Sequence, residues 1–483
     1  MPDWAAPDFV ALHAAARPAR LACVDLATGR RWTYAELDDS VSRCVAVLLG
    51  RGINEGDRVA VLARNSGWQL ILHLALGRIG AAFVPLNWRL AQAEIDALLS
   101  DCEPKLLLDE AAVAALGAES DAAAPRVLAS TPAANAPSIL LYTSGTSGRP
   151  KGVIVTERNA FFTAVNFSLL GEVDGTSIFL CDSPMFHVIG LIASMRPALM
   201  QGGTLLISPG FEPSVTYGRL ADPALGVTHY FCVPQMAKML REAPGFDPTG
   251  LKHLRALFTG GAPNPAANIR SWLAEGVRMV DGYGMTEAGT VLGMPLDPDL
   301  IAAKAGAAGL PAPTLSLRIV DDEGEAVREG AVGELQVRGP NVTPGYWNNP
   351  EETRAAFAPE GWFRTGDLGR RDADGFVTLV DRKKDMFISG GENVYPVEVE
   401  GVLLQHPEVT EAAVIGIPDP TWGEVGQAFV VGSPSCTPTV LADHCGAHLA
   451  RFKVPKHFTL VDALPRTGSG KIQKQALRAM GAQ

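Results

Sequence analysis

Short apolar strand patterns alternate with helical stripes from Thr33 onward, and that alternation limits the chain to layered α/β structure. Thr33-Tyr-Ala-Glu36 is a capping box, and Leu37, Val41, Val45, Leu48 and Leu49 follow at helical spacing. Arg58–Ala63 then reads as a buried strand, Gln69–Gly77 as a helix and Ala82–Pro85 as a second strand. Strands apolar on both sides need cover on both faces, which crossover helices supply. Residues 117–137, rich in Ala, Pro and Ser, read as a surface linker.

From Leu315 the texture changes. Leu315–Val320, Gly333–Arg338 and Phe376–Val380 are short strands separated by Gly and Asp turns, which makes a β-rich subdomain. Beyond the polar run Asp381–Asp385, Val397–Leu404 reads as a helix, and Ala412–Ile417 and Ala428–Val431 read as strands. The expected organisation is an α/β chain. A large N-terminal domain over residues 1–381 holds layered α/β subdomains and the β-rich one. A connection follows at 382–385, then a small α+β domain at 386–483.

At 483 residues and 47% apolar content, the chain is too long for one ordinary core. Its net charge is -11, and its longest basic run is Arg382-Lys383-Lys384, so the basic footprint of a nucleic-acid binder is missing. The seven cysteines form no CxxC pair, which reads as buried, reduced thiols in a cytoplasmic protein. Asp3 and Asp8 do not suit a signal peptide, and His and Arg interrupt the longest apolar stretches, so no membrane span is expected.

Four blocks carry chemistry. Ser138-Ile-Leu-Leu141 runs into Tyr142-Thr-Ser-Gly-Thr-Ser-Gly-Arg-Pro-Lys-Gly152. A loop of Gly, Ser and Thr after a strand presents N–H groups and hydroxyls to phosphate oxygens, and Lys151 adds charge. The spacing is not that of a Walker A loop. Asp281-Gly-Tyr-Gly-Met-Thr-Glu287 offers a flat tyrosine, a hydroxyl and a carboxylate suited to Mg2+. Gly361–Asp367, with Arg382 downstream, offers an acceptor for a ribose diol. Pro465-Arg-Thr-Gly-Ser-Gly-Lys471 places a lysine in a Gly/Ser loop. Taken singly, the last three are as readily turns or solvated loops.

Their order and spacing from Trp32 to Lys474 resemble the adenylate-forming superfamily, which includes acyl-CoA synthetases, coumarate-type ligases, firefly luciferase and peptide-synthetase adenylation domains. The resemblance implies an AMP-forming acyl-CoA synthetase. Such an enzyme uses ATP, Mg2+ and coenzyme A to convert a small-molecule carboxylic acid to its thioester through an acyl-adenylate. It implies that Thr143, Ser144, Gly145, Thr146, Ser147, Gly148 and Lys151 close over the phosphates. Gly261, Ala262, Pro263 and Tyr283 form the adenine slot, with Asp281, Gly282, Gly284 and Met285 beside it. Thr286 meets the α-phosphate, Glu287 holds Mg2+, and Asp367 and Arg382 meet the ribose. Lys471 is the implied catalytic lysine, with Thr286 and His187 assisting. His187, Ile189, Gly190, Gly261, Gly284, Gly289, Thr290 and Val291 wall the acid pocket, and Gly390 and Gly391 line the pantetheine tunnel. Lys384 is the implied hinge of a mobile C-terminal domain. Asp281 departs from the amide that many relatives carry.

The pocket positions are small or apolar, with no Lys or Arg to pair a second carboxylate. They suit a medium or long fatty acid, or an aryl acid of the cinnamate or ferulate type. An adenylation enzyme loading a carrier protein is the alternative. A monomer or homodimer is expected.

Overall fold

The computed structural model describes residues 5–128, 132–143, 150–262, 264–466 and 472–481. The chain forms two compact bodies. One comprises Met1–Ser316 and Val337–Phe363, the other Leu317–Gln336 and Arg364–Gln483. The division runs through the strands Ser316–Val320, Gly333–Arg338 and Trp362–Arg371. The expected connection, residues 382–385, lies inside the second body.

The first body is built on two sheets. The five-stranded sheet runs Leu106–Asp109, Arg58–Leu62, Ala82–Pro85, Pro137–Thr143, Lys151–Thr156. All its pairings are parallel except the last. In the nine-stranded sheet, six strands from Met279–Met285 through Ala256–Thr259, His229–Cys232, Ile178–Cys181 and Thr204–Ile207 to Leu21–Asp25 are parallel neighbours. Val59, Ala60, Val61, Phe83 and Val84 are fully buried, as the apolar strand patterns require. Among the described residues, no helix is long and apolar enough to cross a membrane.

Local signals set the helix starts. Thr33 Oγ1 accepts from Glu36 N while Glu36 Oε2 accepts from Thr33 N at 2.7 Å, so the capping box opens Tyr34–Gly50. Ser66 caps Gly67–Ile79, and Gly80 ends it at φ +83°, a left-handed turn that glycine adopts without strain. The linker reading of 117–137 fails at its start, because Glu110–Ala122 is helical. Val113, Leu116 and Ser120 face inward, and Gly117 lets the Trp68 indole against the helix. Alanine-rich composition, read as a linker, here marks a helix.

In the second body, Val409–Asp419 and Gly423–Gly432 form a long hairpin. Its alternation splits two cores. Val414, Ala428 and Val430 pack with Phe387, Leu403 and Leu441 on one face. Ala413, Ile415 and Phe429 pack with Leu464 and Leu477 on the other. All seven cysteines are buried and free.

Gly117 generates a test. A Cβ there would lie 2.6 Å from Trp68 Cε2. Gly→Ala inside a helix ordinarily gains about 1 kcal/mol, and overpacking costs roughly 1–3 kcal/mol. Crowding wins, so Gly117→Ala lowers stability by up to about 2 kcal/mol in urea unfolding. A stabilised variant would show that the indole moves freely.

Candidate active site

Thr143 and Lys151 face each other where the antiparallel strands Pro137–Thr143 and Lys151–Thr156 open. Ser144, Gly145, Thr146, Ser147 and Gly148 lie outside the described residues, as do Pro263 and Lys471. Lys151 is mostly buried and pairs with Glu352, and its Nζ sits 5.3 Å from the centre of the Tyr346 ring. The Tyr346 hydroxyl donates to Glu287 Oε1 at 3.0 Å, and Thr343 N donates to the Glu287 carbonyl at 2.7 Å. One tyrosine thus touches both the expected phosphate lysine and the expected metal ligand. Burial, reinforced by the Glu287 charge, pushes the Tyr346 phenol well above its ordinary range, so it stays a donor. Tyr346 and Glu352 were missed in the sequence. The cluster Pro344-Gly-Tyr-Trp-Asn-Asn349 was their available signal.

Asp281-Gly-Tyr-Gly-Met285 is the end of a strand, Met279–Met285, that pairs with Gly289–Gly293. Gly284 opposes Thr290 and Met285 opposes Gly289, so Thr286 and Glu287 occupy the bend. Glycine is required twice here. A Cβ on Gly284 would lie 2.4 Å from the Gly289 carbonyl oxygen, and one on Gly289 2.2 Å from Thr163 Oγ1. Gly289 also has φ +57°. Val291 is fully buried. Thr286, Glu287 and Gly289 line a small cavity with Thr163, Val188 and Ile192.

His187 sits on a turn, its N–H donating to the Pro184 carbonyl, just before a wide helical turn at Ile189–Ser194. A Cβ on Gly190 would meet the Pro184 oxygen at 2.3 Å, so the turn can close only on glycine. Buried Asn65 clamps this loop. Its amide donates to the Ser183 carbonyl and its oxygen accepts from Met185 N, both at 2.8 Å. Nothing about Asn65 in the sequence distinguished it from a loop residue. Ile189 Cδ1 comes within 3.7 Å of where a Gly261 Cβ would lie, so those two expected wall positions converge.

Asp281 pairs with Thr259 across parallel strands, and Thr259 Oγ1 donates to Asp281 Oδ1 at 3.1 Å. Asn268 donates to Asn264 and Asn264 to Thr259, which points a chain of dipoles at the carboxyl. The neighbouring strands Ala256–Thr259 and Gly289–Gly293 carry no titratable residue, and Arg270 on the nearby helix Ala266–Ala274 is exposed. Burial wins over the Thr259 bond and lifts the carboxyl to about 7.

In the second body Asp367 and Arg382 are paired across strands, with Arg382 Nε 3.3 Å from Asp367 Oδ1. Arg382 remains half exposed while Asp367 is buried. Lys384 follows in a turn closed by Asp385 N and Met386 N, both donating to the Arg382 carbonyl. Gly390 and Gly391 form a two-residue hairpin turn between Ser389 and Glu392, with φ +61° and +86°. Trp422 packs on this turn. A Cβ on Gly390 would meet its ring at 2.7 Å, yet the indole is 46% exposed, with Lys456 Nζ 5.3 Å from its centre. The sequence reading missed Trp422.

Asp281 generates a prediction whose sign follows from its raised folded value. Between about 4 and about 7 the folded chain holds a proton that the unfolded chain has released, so stability falls as pH rises through that window. Asp281→Asn removes the loss. Its melting temperature relative to the parent should rise from pH 4 to pH 8, and a difference independent of pH would refute the assignment.

Residues 10–347 match the model of the AMP-binding enzyme family, and residues 398–471 match the model of the AMP-binding enzyme C-terminal domain. The chain is 40% identical over 467 residues to a feruloyl-CoA synthase of Amycolatopsis sp, covering 93% of this chain and 94% of the relative. It is 36% identical to a long-chain-fatty-acid–CoA ligase of Mycobacterium tuberculosis, covering 96% of each. The crystal structure of ATP-bound MatB from Rhodopseudomonas palustris superposes with a TM-score of 0.89 at 32% identity, covering 98% of each chain. With both regions matched in order, and relatives aligned along nearly the whole length, the chain belongs to the AMP-binding enzyme family.

Proposed function

We propose that the chain is an AMP-forming acyl-CoA synthetase, an acid–thiol ligase that adenylates a carboxylic acid with ATP and passes the acyl group to coenzyme A. The observation that carries this reading is the Lys151–Tyr346–Glu287 contact. It joins Lys151, which follows the glycine-rich segment in sequence, to the carboxylate best suited to Mg2+. Named CoA ligases among the relatives support the same reading.

The first step brings two anions together. The substrate carboxylate attacks the α-phosphorus of ATP in line and pyrophosphate leaves. The protein's share is positioning and charge stabilisation, with no protein nucleophile. Lys151 and Lys471 supply positive charge, and Thr286 a hydroxyl. Glu287 fits Mg2+ because it is a hard oxygen ligand whose orientation the Tyr346 hydroxyl fixes. The metal, when bound, neutralises phosphate charge. Asp367 accepts from the ribose hydroxyls, with Arg382 beside it. In the second step the CoA thiolate attacks the acyl carbonyl carbon and AMP departs. We assign Gly390, Gly391 and Trp422 to CoA, because an exposed indole beside Lys456 can meet both pantetheine and anionic groups.

The acid is medium- or long-chain aliphatic, or aryl of the cinnamate or ferulate type. No Lys or Arg stands among the expected wall positions to pair a second carboxylate. The relatives named for ferulate and for long-chain fatty acids support both classes. The buried free thiols support a reducing, cytoplasmic setting. A panel of acids scored by pyrophosphate release tests the class. No release with any aliphatic or aryl acid would sink it. CoA compared with a phosphopantetheinylated carrier protein separates the carrier-loading alternative.

Two variants test the residue roles. Lys471→Ala should slow acyl-adenylate formation by roughly 10²–10³, the cost of one preorganised donor. Thioester formation from supplied acyl-adenylate should survive, and equal loss in both would make Lys471 structural. Lys384 is the hinge between the poses for the two steps. Proline there fixes φ near −65° and restricts the preceding residue. Lys384→Pro should keep pyrophosphate exchange and lose CoA transfer. Matching effects on both would refute the hinge.

A further inference from the structure

The helix Pro396–Leu403 starts without a cap of its own. Its N-cap residue, Tyr395, makes no side-chain capping bond. Pro396, at the first helical position, has no N–H to offer, so the first donor in need of a partner is Val397 N. Asp381 supplies that partner from far upstream, its Oδ2 accepting from Val397 N at 2.9 Å and its Oδ1 from Arg382 N at 2.7 Å. The carboxylate is buried. Lys474, ion-paired with Glu400 at 2.9 Å, lies nearby, its charge favouring the carboxylate and that of Glu400 opposing it.

This cap spans the segment we assign as the hinge. Asp381 is held before it, through pairing of its strand with Trp362–Arg371, opposite Leu368. Val397, Glu400 and Lys474 come after it. The neighbouring ion pair of Arg478 with Asp385, at 3.2 Å, lies wholly after Lys384. A swing about Lys384 leaves that pair intact and takes Val397 away from Asp381.

We propose that Asp381 is a positioning residue. By capping Pro396–Leu403 across Lys384 it favours the pose in which Val397 meets Asp381 over a swung one, and so sets the ratio of the two half-reaction rates. The proposal rests on the hinge reading above. It adds a named contact that must break on each cycle and that neither ATP nor the acid need touch.

The test measures both half-reactions separately on Asp381→Ala and Asp381→Asn, with melting curves to confirm folding. Loss of a helix N-cap is worth roughly a three- to thirtyfold change in an equilibrium. Asp381→Ala should shift the ratio of pyrophosphate exchange to thioester formation by that order. Asp381→Asn keeps one acceptor, which can still face Val397 N, but turns its NH2 toward Arg382 N, so it should shift the ratio in the same direction by less than Asp381→Ala. An unchanged ratio in Asp381→Ala, whether both rates hold or both fall, overturns the proposal. A second measurement uses the unaltered protein, in case the alanine variant does not fold. Hydrogen exchange at the Val397 amide should differ between protein with MgATP and protein with AMP and CoA. Equal protection in the two mixtures also overturns it. Lys384→Pro, run alongside, keeps the failures apart. If it splits the half-reactions and Asp381→Ala does not, only the cap is wrong. If it leaves them alike, the hinge itself is wrong.

Discussion

Backbone crowding at the hairpin Met279–Gly293 is the constraint on which the first body's site depends. The two strands approach so closely at Gly284 and Gly289 that no side chain fits, and Gly289 is pressed against Thr163 of the helix Glu157–Leu170. That helix in turn is tied to 340–343, where buried Asn159 donates to the Pro340 and Val342 carbonyls. Thr343 N then donates to the Glu287 carbonyl. Close approach at two glycines therefore fixes where the Glu287 carboxylate stands, and Tyr346 carries the same register to Lys151. Rigid backbone holds the polar groups near their working geometry, which an electrostatic mechanism needs.

The chain's net charge of -11 is at odds with a set of anionic substrates. The structure resolves this locally. Lys151 is kept against Glu352 and over an aromatic face, and Arg382 beside Asp367. Each cation is balanced by a carboxylate within the fold, so it is oriented without a long-range positive field. On the proposed function, ATP and CoA are drawn in by short-range contacts more than by steering. Asp281 is the opposite case, a carboxyl whose neighbouring strands Ala256–Thr259 and Gly289–Gly293 carry no titratable residue, and burial raises its proton affinity.

Asp381 and Tyr346 share a logic. Each holds a group far from it in the chain, Asp381 the Val397 amide and Tyr346 the Glu287 carboxylate. Such contacts are where a fold couples its parts. They are also the ones that change when a segment moves, because a local cap travels with its helix and a distant one does not.

Patterns with a period or a fixed spacing were legible in the sequence. The capping box at Thr33, the buried strands at Arg58 and Ala82, and the alternation through Ala412–Ile417 depend on local propensity and burial, which a short window carries. The Asp281–Glu287 and Ser389–Glu392 blocks were legible because close backbone approach and left-handed turns leave glycine at set positions. Tertiary structure alone decided the rest. Asn65 clamping the His187 loop, Tyr346 joining Lys151 to Glu287, Trp68 claiming Gly117 and Asp381 capping Val397 all link residues far apart in the chain. No local pattern encodes such pairs, because either partner alone is an ordinary loop, helix or strand residue until folding sets the other beside it.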